Sequence, residues 1–255
     1  MRIVWAIALN TFREAIRDRI LYLLLVFSLL LIISSVVLSL LTVGSQIRII
    51  KDIGLASISL FGVLISVFVG IGLVSREIQR RTIYTVVTKP VYRYQFLLGK
   101  YIGLLVTILC NISLMTLIFL AVIFWKGGVL DVSVLPAILM IFLELVLITG
   151  FALLFSAFST PMLSAVFTLA LYITGHLSGG LLLMKEHVKN SLGRWLCDAL
   201  YYLLPNLELF NLKHQAVHNL PLREGQLLLA LLYGLLYAAA VFVFTVVIFR
   251  RRDFL

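Results

Sequence analysis

Charged side chains are scarce in this sequence: Asp, Glu, Lys and Arg together make up 13% of its 255 residues, about half of the share found in soluble proteins. A soluble domain of this length needs a charged surface around its core, and these residues are too few to form one. Hydrophobic residues contribute 62%, and the mean hydropathy is +1.14. The composition argues against a soluble enzyme, a disordered tail and a secreted disulfide-rich domain, and it predicts an integral membrane protein.

Cysteine is also rare. Cys110 lies within an apolar run, whereas Cys197 lies in a polar segment. In a membrane protein these two thiols would lie at different depths, so we expect both to be free and expect no disulfide framework.

The formal net charge is +10, which by itself could indicate a nucleic-acid partner. Nucleic-acid binders gather basic residues on a solvated polar face. Here Lys and Arg are confined to the breaks between apolar runs, the pattern of a membrane protein that is oriented by its basic loops. The sequence therefore predicts contact with membrane lipid and none with nucleic acid.

Six stretches are long and apolar enough to cross a hydrocarbon core about 30 Å thick, which takes roughly 20 helical residues. They are Ile20–Val43, Ile53–Ser75, Tyr101–Trp125, Pro136–Phe158, Met162–Met184 and Leu227–Phe249. None shows the polar and apolar alternation of a membrane β-barrel, so the spans are predicted to be helices. The predicted fold is an all-α, polytopic bundle of six transmembrane helices, with residues 20–255 as the transmembrane domain.

Six spans place both termini on one side of the membrane. With that side inside, the inner segments hold 13 basic and 4 acidic residues, whereas the outer segments hold 8 basic and 6 acidic residues. Because inner loops carry the excess of Lys and Arg, both termini and the loop 76–100 are predicted to be cytoplasmic. The long loop 185–226 is then predicted to be outside.

Residues 1–19 place apolar side chains at Trp5, Ala8, Phe12 and Ile16, at steps of three or four. This spacing predicts an amphipathic helix lying along the cytoplasmic interface. The alternative is a polar first helix that packs on the rest of the protein.

The sequence holds no G-x4-G-K-[ST] phosphate-binding loop and no G-x-S-x-G, H-E-x-x-H or C-x2-C motif. We therefore expect no catalytic residue, no metal site and no nucleotide hydrolysis by this chain alone. His214 and His218 at i and i+4 are interpreted as surface histidines rather than metal ligands.

Among the polar residues inside the predicted spans, Asn111, Glu144 and His176 are the candidate functional ones. Glu144 and His176 each lie about 12 Å below the outer boundary at 1.5 Å per residue. They could form a buried pair that steadies the bundle or lines a translocation path, or each could bond locally to hydroxyl or backbone groups.

The fifth predicted span contains Gly175-x3-Gly179, a spacing that lets two helix backbones approach closely. It predicts either a homodimer seam, or packing within the chain or a kink.

The outer loop contains two candidate helices separated by Pro205-Asn206. Their predicted apolar faces are Trp195, Ala199, Tyr202 and Leu203 in the first, and Leu209, Leu212 and Ala216 in the second. We expect both to lie in, or dip into, the outer headgroup region, with an ordinary exposed loop as the alternative.

In the loop between the second and third spans, residues 75–88 can form about three helical turns before Pro90 ends the helix. Five residues there follow the pattern E-x4-T-x7-P-x2-R-x6-K: they are Glu77, Thr82, Pro90, Arg93 and Lys100. This pattern resembles the cytoplasmic loop of ABC-2 type transporter permeases, in particular the six-span, half-size NosY-like group. The resemblance extends to the segments 9–19, 204–210 and 249–254, so it covers essentially the whole chain.

The resemblance implies that residues 76–90 form a coupling helix seated on a separate ATPase subunit. The implied contact residues are Arg76, Glu77, Arg80, Arg81, Thr82, Pro90 and Arg93. It also implies a homodimer with two ATPase copies that carry the ATP and Mg²⁺, an exporter in a prokaryotic plasma membrane, and re-entrant outer helices that act as an exit gate.

The sequence also allows other interpretations of this loop and of the class of protein. The loop 76–100 could be a solvated segment that only sets topology. The chain could be a secondary, ion-coupled transporter, although that class usually carries several intramembrane ionisable residues and an internal repeat. It could also be a membrane-anchored enzyme or assembly factor without transport activity.

Overall fold

The structure is a computed structural model that describes residues 2–40, 46–79, 92–127, 134–178, 194, 204–221 and 225–251. For residues 74–79, 250 and 251 only the backbone is described. Several predicted features lie outside the described residues: Arg80, Arg81, Thr82, Pro90, Gly179 and nearly all of the first outer-loop helix.

Helix is the regular secondary structure throughout the described ranges. The helices are α1 (Arg2–Ile16), α2 (Arg19–Leu40), α3 (Gln46–Gln79), α4 (Arg93–Gly127), α5 (Val134–Phe158), α6 (Pro161–His176), α7 (Lys213–His218) and α8 (Gln226–Arg251). A 3-10 helix, Leu207–Phe210, precedes α7.

Five of these helices are long and apolar enough to cross a membrane: α2, α3 over Gln46–Leu73, α4, α5, and α8 over Gln226–Phe249. The prediction of a multi-pass helical membrane protein is therefore confirmed. The count of six spans is not, because α6 has 16 residues, about 24 Å of helix. The fifth predicted span, Met162–Met184, is described only as far as Ser178.

Helix α5 lies at the centre of the bundle, and α3, α4, α6 and α8 contact it. Most of its side chains are buried, because it is apolar around its whole circumference. Helix α2 packs mainly on α3 and leaves large apolar side chains such as Leu30 and Val37 exposed. On a membrane helix such side chains face lipid.

Helix α1 packs along α4, where two glycines allow the backbones to approach. A Cβ on Gly99 would lie 2.9 Å from the carbonyl oxygen of Val4, and one on Gly103 would lie 2.6 Å from that of Ala8. So close a contact needs small side chains on α1, and its buried residues are Ala8, Thr11 and Ala15.

Part of the predicted apolar face of α1 packs on the bundle and part is exposed. Ala8 is buried and Phe12 is partly buried, but Trp5 is 64% exposed and Ile16 is 37% exposed. The helix is present and packs on the bundle, and its predicted interfacial face is not confirmed.

Candidate functional site

A buried carboxylate and an imidazole meet between α5 and α6. Glu144 Oε1 lies 2.7 Å from His176 Nε2, and the Glu144 side chain is 1% exposed. His176 is the last residue of α6, so the ring lies at a helix end and reaches inward to α5. Of the two alternatives that the sequence left open, the structure shows the pair.

The second nitrogen of the same ring faces another carboxylate. His176 Nδ1 lies 3.4 Å from Glu208 Oε2, and Glu208 Oε1 accepts a hydrogen bond from Asn211 Nδ2 at 3.0 Å. Glu208 belongs to the 3-10 helix. His176 therefore connects the bundle interior to the segment 204–221, which we call the outer segment.

Tyr172 fixes the orientation of this ring from one turn earlier on α6. Its ring packs edge-on against His176, with 4.7 Å between the centroids and an angle of 82°. Its hydroxyl lies 3.5 Å from Ser59 Oγ on α3. The i and i+4 spacing on one helix places the two rings on the same face.

Lys213, at the start of α7, adds a cation to this region. Burial lowers the pKa of its amine, because the interior disfavours the charged form, and this effect outweighs the attraction of the Glu144, Glu208 and Asp52 carboxylates. We refer to Glu144, Tyr172, His176, Glu208 and Lys213 together as the polar cluster.

Four further hydrogen bonds hold the outer segment on the bundle. Lys51 on α3 donates to the carbonyl of Ala216 at 3.3 Å and to Asn219 Oδ1 at 2.8 Å. Ser178 donates to Asn206 Oδ1 at 3.1 Å, and the backbone N–H of Asn206 donates to the Tyr233 hydroxyl on α8 at 3.0 Å. Hydrogen bonds with α3, with α8 and with Ser178 after the end of α6 thus attach both ends of the segment.

The predicted apolar face of the second outer helix needs correction. Leu212 and Ala216 are buried as expected, but Leu209 is 41% exposed, and Leu207 and Phe210 are fully buried instead. The chain forms a 3-10 turn and then a short α-helix rather than one continuous helix. Residues three apart share a face in a 3-10 helix, which places Leu207 and Phe210 together.

Gly175 serves packing within the chain. A Cβ at this position would lie 2.7 Å from the Leu207 side chain and 3.0 Å from the Pro205 carbonyl oxygen. A homodimer seam through Gly175 would have to displace this part of the outer segment.

Asn111 is buried in α4 and bonds locally. Its Nδ2 donates to the carbonyl of Thr107 at 2.8 Å, one turn earlier. It therefore does not join the polar cluster.

At the other end of the bundle, the start of α4 is tied to both α1 and α8. Lys100 Nζ lies 3.6 Å from Glu14 Oε2 on α1. Arg93 Nη1 donates to the carbonyl of Phe249 on α8 at 3.4 Å, and the rings of Phe96 and Phe249 stack with centroids 6.5 Å apart. We call these residues the basic-end contacts.

The remaining coupling-loop residues are described only in part. Helix α3 continues past the predicted span end at Ser75 as far as Gln79, so the backbones of Arg76 and Glu77 extend the second span without a break. Residues 80–91 lie outside the described ranges.

Sequence reasoning did not assign roles to Glu14, Lys51, Tyr172, Glu208 and Lys213. Two of these had a signal, because Glu14 and Glu208 lie in the segments 9–19 and 204–210 that carried the resemblance. Tyr172 had a weaker one, its position one turn before His176. No pattern in the sequence indicates that Lys51 and Lys213 lie near the outer segment's polar contacts.

The comparison with protein families agrees with this architecture. The family model described as ABC-2 family transporter protein matches residues 5–254. No curated protein shows a significant match to the chain. The family match includes α1, every membrane-spanning helix, the polar cluster and the basic-end contacts. The chain therefore belongs to the ABC-2 family of transporter proteins, as a multi-pass membrane permease of the ATP-binding cassette class.

Proposed function

We propose that this chain is the membrane-spanning subunit of an exporter, driven by a separate ATPase that docks on the loop 76–100. Permeases of this family are typically non-enzymatic and in general work with an ABC ATPase. The observation that carries the proposal is the set of basic-end contacts, because they join the loop to several helices at once.

The loop is flanked by α3 on one side and α4 on the other. Through Lys100 and Arg93, the start of α4 contacts α1 and α8. A displacement applied to the loop therefore acts on four helices rather than on one. Packed helices transmit such a displacement because they move as rigid elements.

The charge distribution supports a cytoplasmic position for this end of the bundle. The segments that would lie inside hold 13 basic and 4 acidic residues, which agrees with the excess of Lys and Arg in cytoplasmic loops. A soluble ATPase would then reach Arg76, Glu77, Arg80, Arg81, Thr82 and Pro90.

The membrane would be the plasma membrane of a prokaryote, with α6 and the residues that follow it as the sixth crossing.

In the complete transporter, two copies of this chain would assemble with two ATPase copies that bind ATP and Mg²⁺. Closure of the ATPases would push the two loops and tilt the bundles, and the outer segments would open on the other side. The translocated compound would pass between the two copies.

Charge reversal of Arg80 and Arg81 tests the docking step. The double variant R80E/R81E should lose co-purification with the ATPase and lose the stimulated ATPase activity, because a basic helix needs a complementary partner surface. The control is Arg48→Glu, an exposed arginine at the opposite end of α3, which should retain both. Unchanged co-purification and activity in the double variant would refute docking at this loop.

A further inference from the structure

We propose that Glu144, His176 and Glu208 form a proton-dependent latch that holds the outer segment against the bundle. The inference concerns how this chain closes its outer end. It does not depend on which ATPase drives the protein or on which compound crosses the membrane.

The latch follows from the position of one ring between two carboxylates on separate parts of the molecule. Glu144 belongs to the central helix α5, whereas Glu208 belongs to the outer segment. His176 reaches the first through Nε2 at 2.7 Å and the second through Nδ1 at 3.4 Å. The ring therefore joins an element that is fixed by packing to a surface segment.

The number of protons bound by these three side chains decides whether both contacts can exist at once. An ionised carboxylate only accepts hydrogen bonds, and a neutral imidazole carries a single N–H. Two ionised carboxylates can therefore both accept a hydrogen bond from this ring only when it is the doubly protonated imidazolium. When the ring loses one proton, one of the two carboxylates loses its hydrogen bond.

Burial decides which contact breaks. Glu144 is 1% exposed, whereas the Glu208 side chain is 49% exposed. A buried carboxylate without a partner is costly, and an exposed one is solvated by water. The remaining N–H therefore stays with Glu144, and Glu208 is released to solvent.

Other charged and titratable groups lie on the elements that surround the latch. They are Lys51 and Asp52 on α3, Tyr172 on α6, Lys213 and His214 on α7, and Tyr233 on α8. Of these, His214 is exposed. The hydrogen bonds that Lys51 and Ser178 donate to the outer segment, and the one that Tyr233 accepts from it, do not involve His176. Loss of the proton therefore loosens the 3-10 turn around Glu208 without detaching the whole segment.

The consequence is a closed outer segment at weakly acidic pH and a looser one as the pH rises. The buried side chains of Leu207 and Phe210, both 0% exposed, would become more accessible as the turn loosens.

Hydrogen–deuterium exchange on the intact chain in lipid nanodiscs tests the latch. The backbone N–H groups of Asn211 and Leu212 bond to carbonyls within the 3-10 turn, so their protection reports its closure. Rates are corrected with an unfolded peptide of the same sequence. In the unmodified protein we expect protection to fall about two- to fivefold between about pH 6 and pH 8, the range that one half-exposed ion pair produces.

Four variants separate the latch from simple packing. His176→Gln and Glu208→Gln should show low and nearly pH-independent protection, because each removes one partner of the contact between His176 Nδ1 and Glu208 Oε2. Ser178→Ala should lower protection at both pH values and keep the pH dependence. His214→Gln should also keep it.

Two results would overturn the proposal: flat protection in the unmodified protein, or an unchanged pH dependence in both His176→Gln and Glu208→Gln. Either failure would leave the ATPase-docking proposal intact, because the measurement involves neither ATPase nor transport.

Discussion

Lys100 Nζ lies 3.6 Å from Glu14 Oε2, and this ion pair joins α1 to α4. Lys100 is 1% exposed, whereas Glu14 is 37% exposed. The Lys100 amine also lies 6.0 Å from the centre of the Phe96 ring. The pair therefore lies at the edge of the packed region, with the cation inside and the anion facing outward.

A double-mutant cycle with Glu14→Gln and Lys100→Gln tests this pair. We expect a coupling free energy of about 1 kcal/mol, since the half-exposed carboxylate is screened by solvent. The measurement is thermal or denaturant unfolding in detergent micelles. Arg13→Gln, an exposed neighbour on α1, should change the free energy of unfolding by less than about 0.5 kcal/mol. A coupling energy near zero would show that the pair does not stabilise the attachment of α1.

Gly103→Ala should weaken the packing of α1 on α4. The new Cβ would lie 2.6 Å from the Ala8 carbonyl oxygen and 2.7 Å from Thr11 Cβ, so α1 has to shift away. We expect a loss of about 1–3 kcal/mol in the free energy of unfolding, as for other overpacked sites. The measurement is denaturant unfolding, combined with proteolysis of residues 2–16.

The matched control for this substitution is Gly70→Ala. A Cβ there would meet its nearest neighbour, Leu104, at 3.8 Å, which is an ordinary contact distance, so its stability should be nearly unchanged. If both alanine variants unfold alike, the close approach of α1 and α4 at Gly103 is not a packing constraint.

Lys213→Gln should leave the protein as stable as before at neutral pH, or more stable. The lowered pKa of the Lys213 amine means that folding disfavours its charge, so removal of the charge removes a penalty. Between the lowered folded-state pKa and the ordinary lysine value of about 10.4, the unfolded chain binds more protons. In that window the stability of the unmodified protein rises with pH, and its difference from the variant shrinks.

Unfolding measured at neutral pH and again close to pH 10 checks this sign, with Lys126→Gln at the end of α4 as the control. If Lys213→Gln proves clearly less stable at neutral pH, the attraction of Glu144, Glu208 and Asp52 outweighs the effect of burial.

Local patterns in the sequence predicted much of the architecture. Long apolar runs predicted the five membrane-spanning helices now observed, because the bilayer sets their length and the backbone must satisfy its own hydrogen bonds there. The same reasoning failed where a helix is irregular. It placed Leu209 on one apolar face with Leu212 and Ala216, because hydropathy does not reveal where a helix tightens into a 3-10 turn.

The candidate site was predictable only in part. The depth of Glu144 and His176 from their span ends made a contact geometrically possible, yet depth does not specify the rotation of either helix about its axis. Gly175 was equally consistent with contact within the chain and with contact between chains. The contact of Glu144 with His176 and the role of Gly175 both depend on which neighbours each helix packs against.

The sequence by itself therefore determined that the chain is a multi-pass helical membrane protein of the ABC-2 family, since hydropathy, charge placement and motif order are all read along the chain. Only the tertiary structure decided which polar residues meet: Lys100 with Glu14, His176 with both Glu144 and Glu208, and Lys51 with Asn219. The physical reason is that apolar spans insert independently, whereas the rotation and register of packed helices are set by steric fit and by the need to pair every buried polar group.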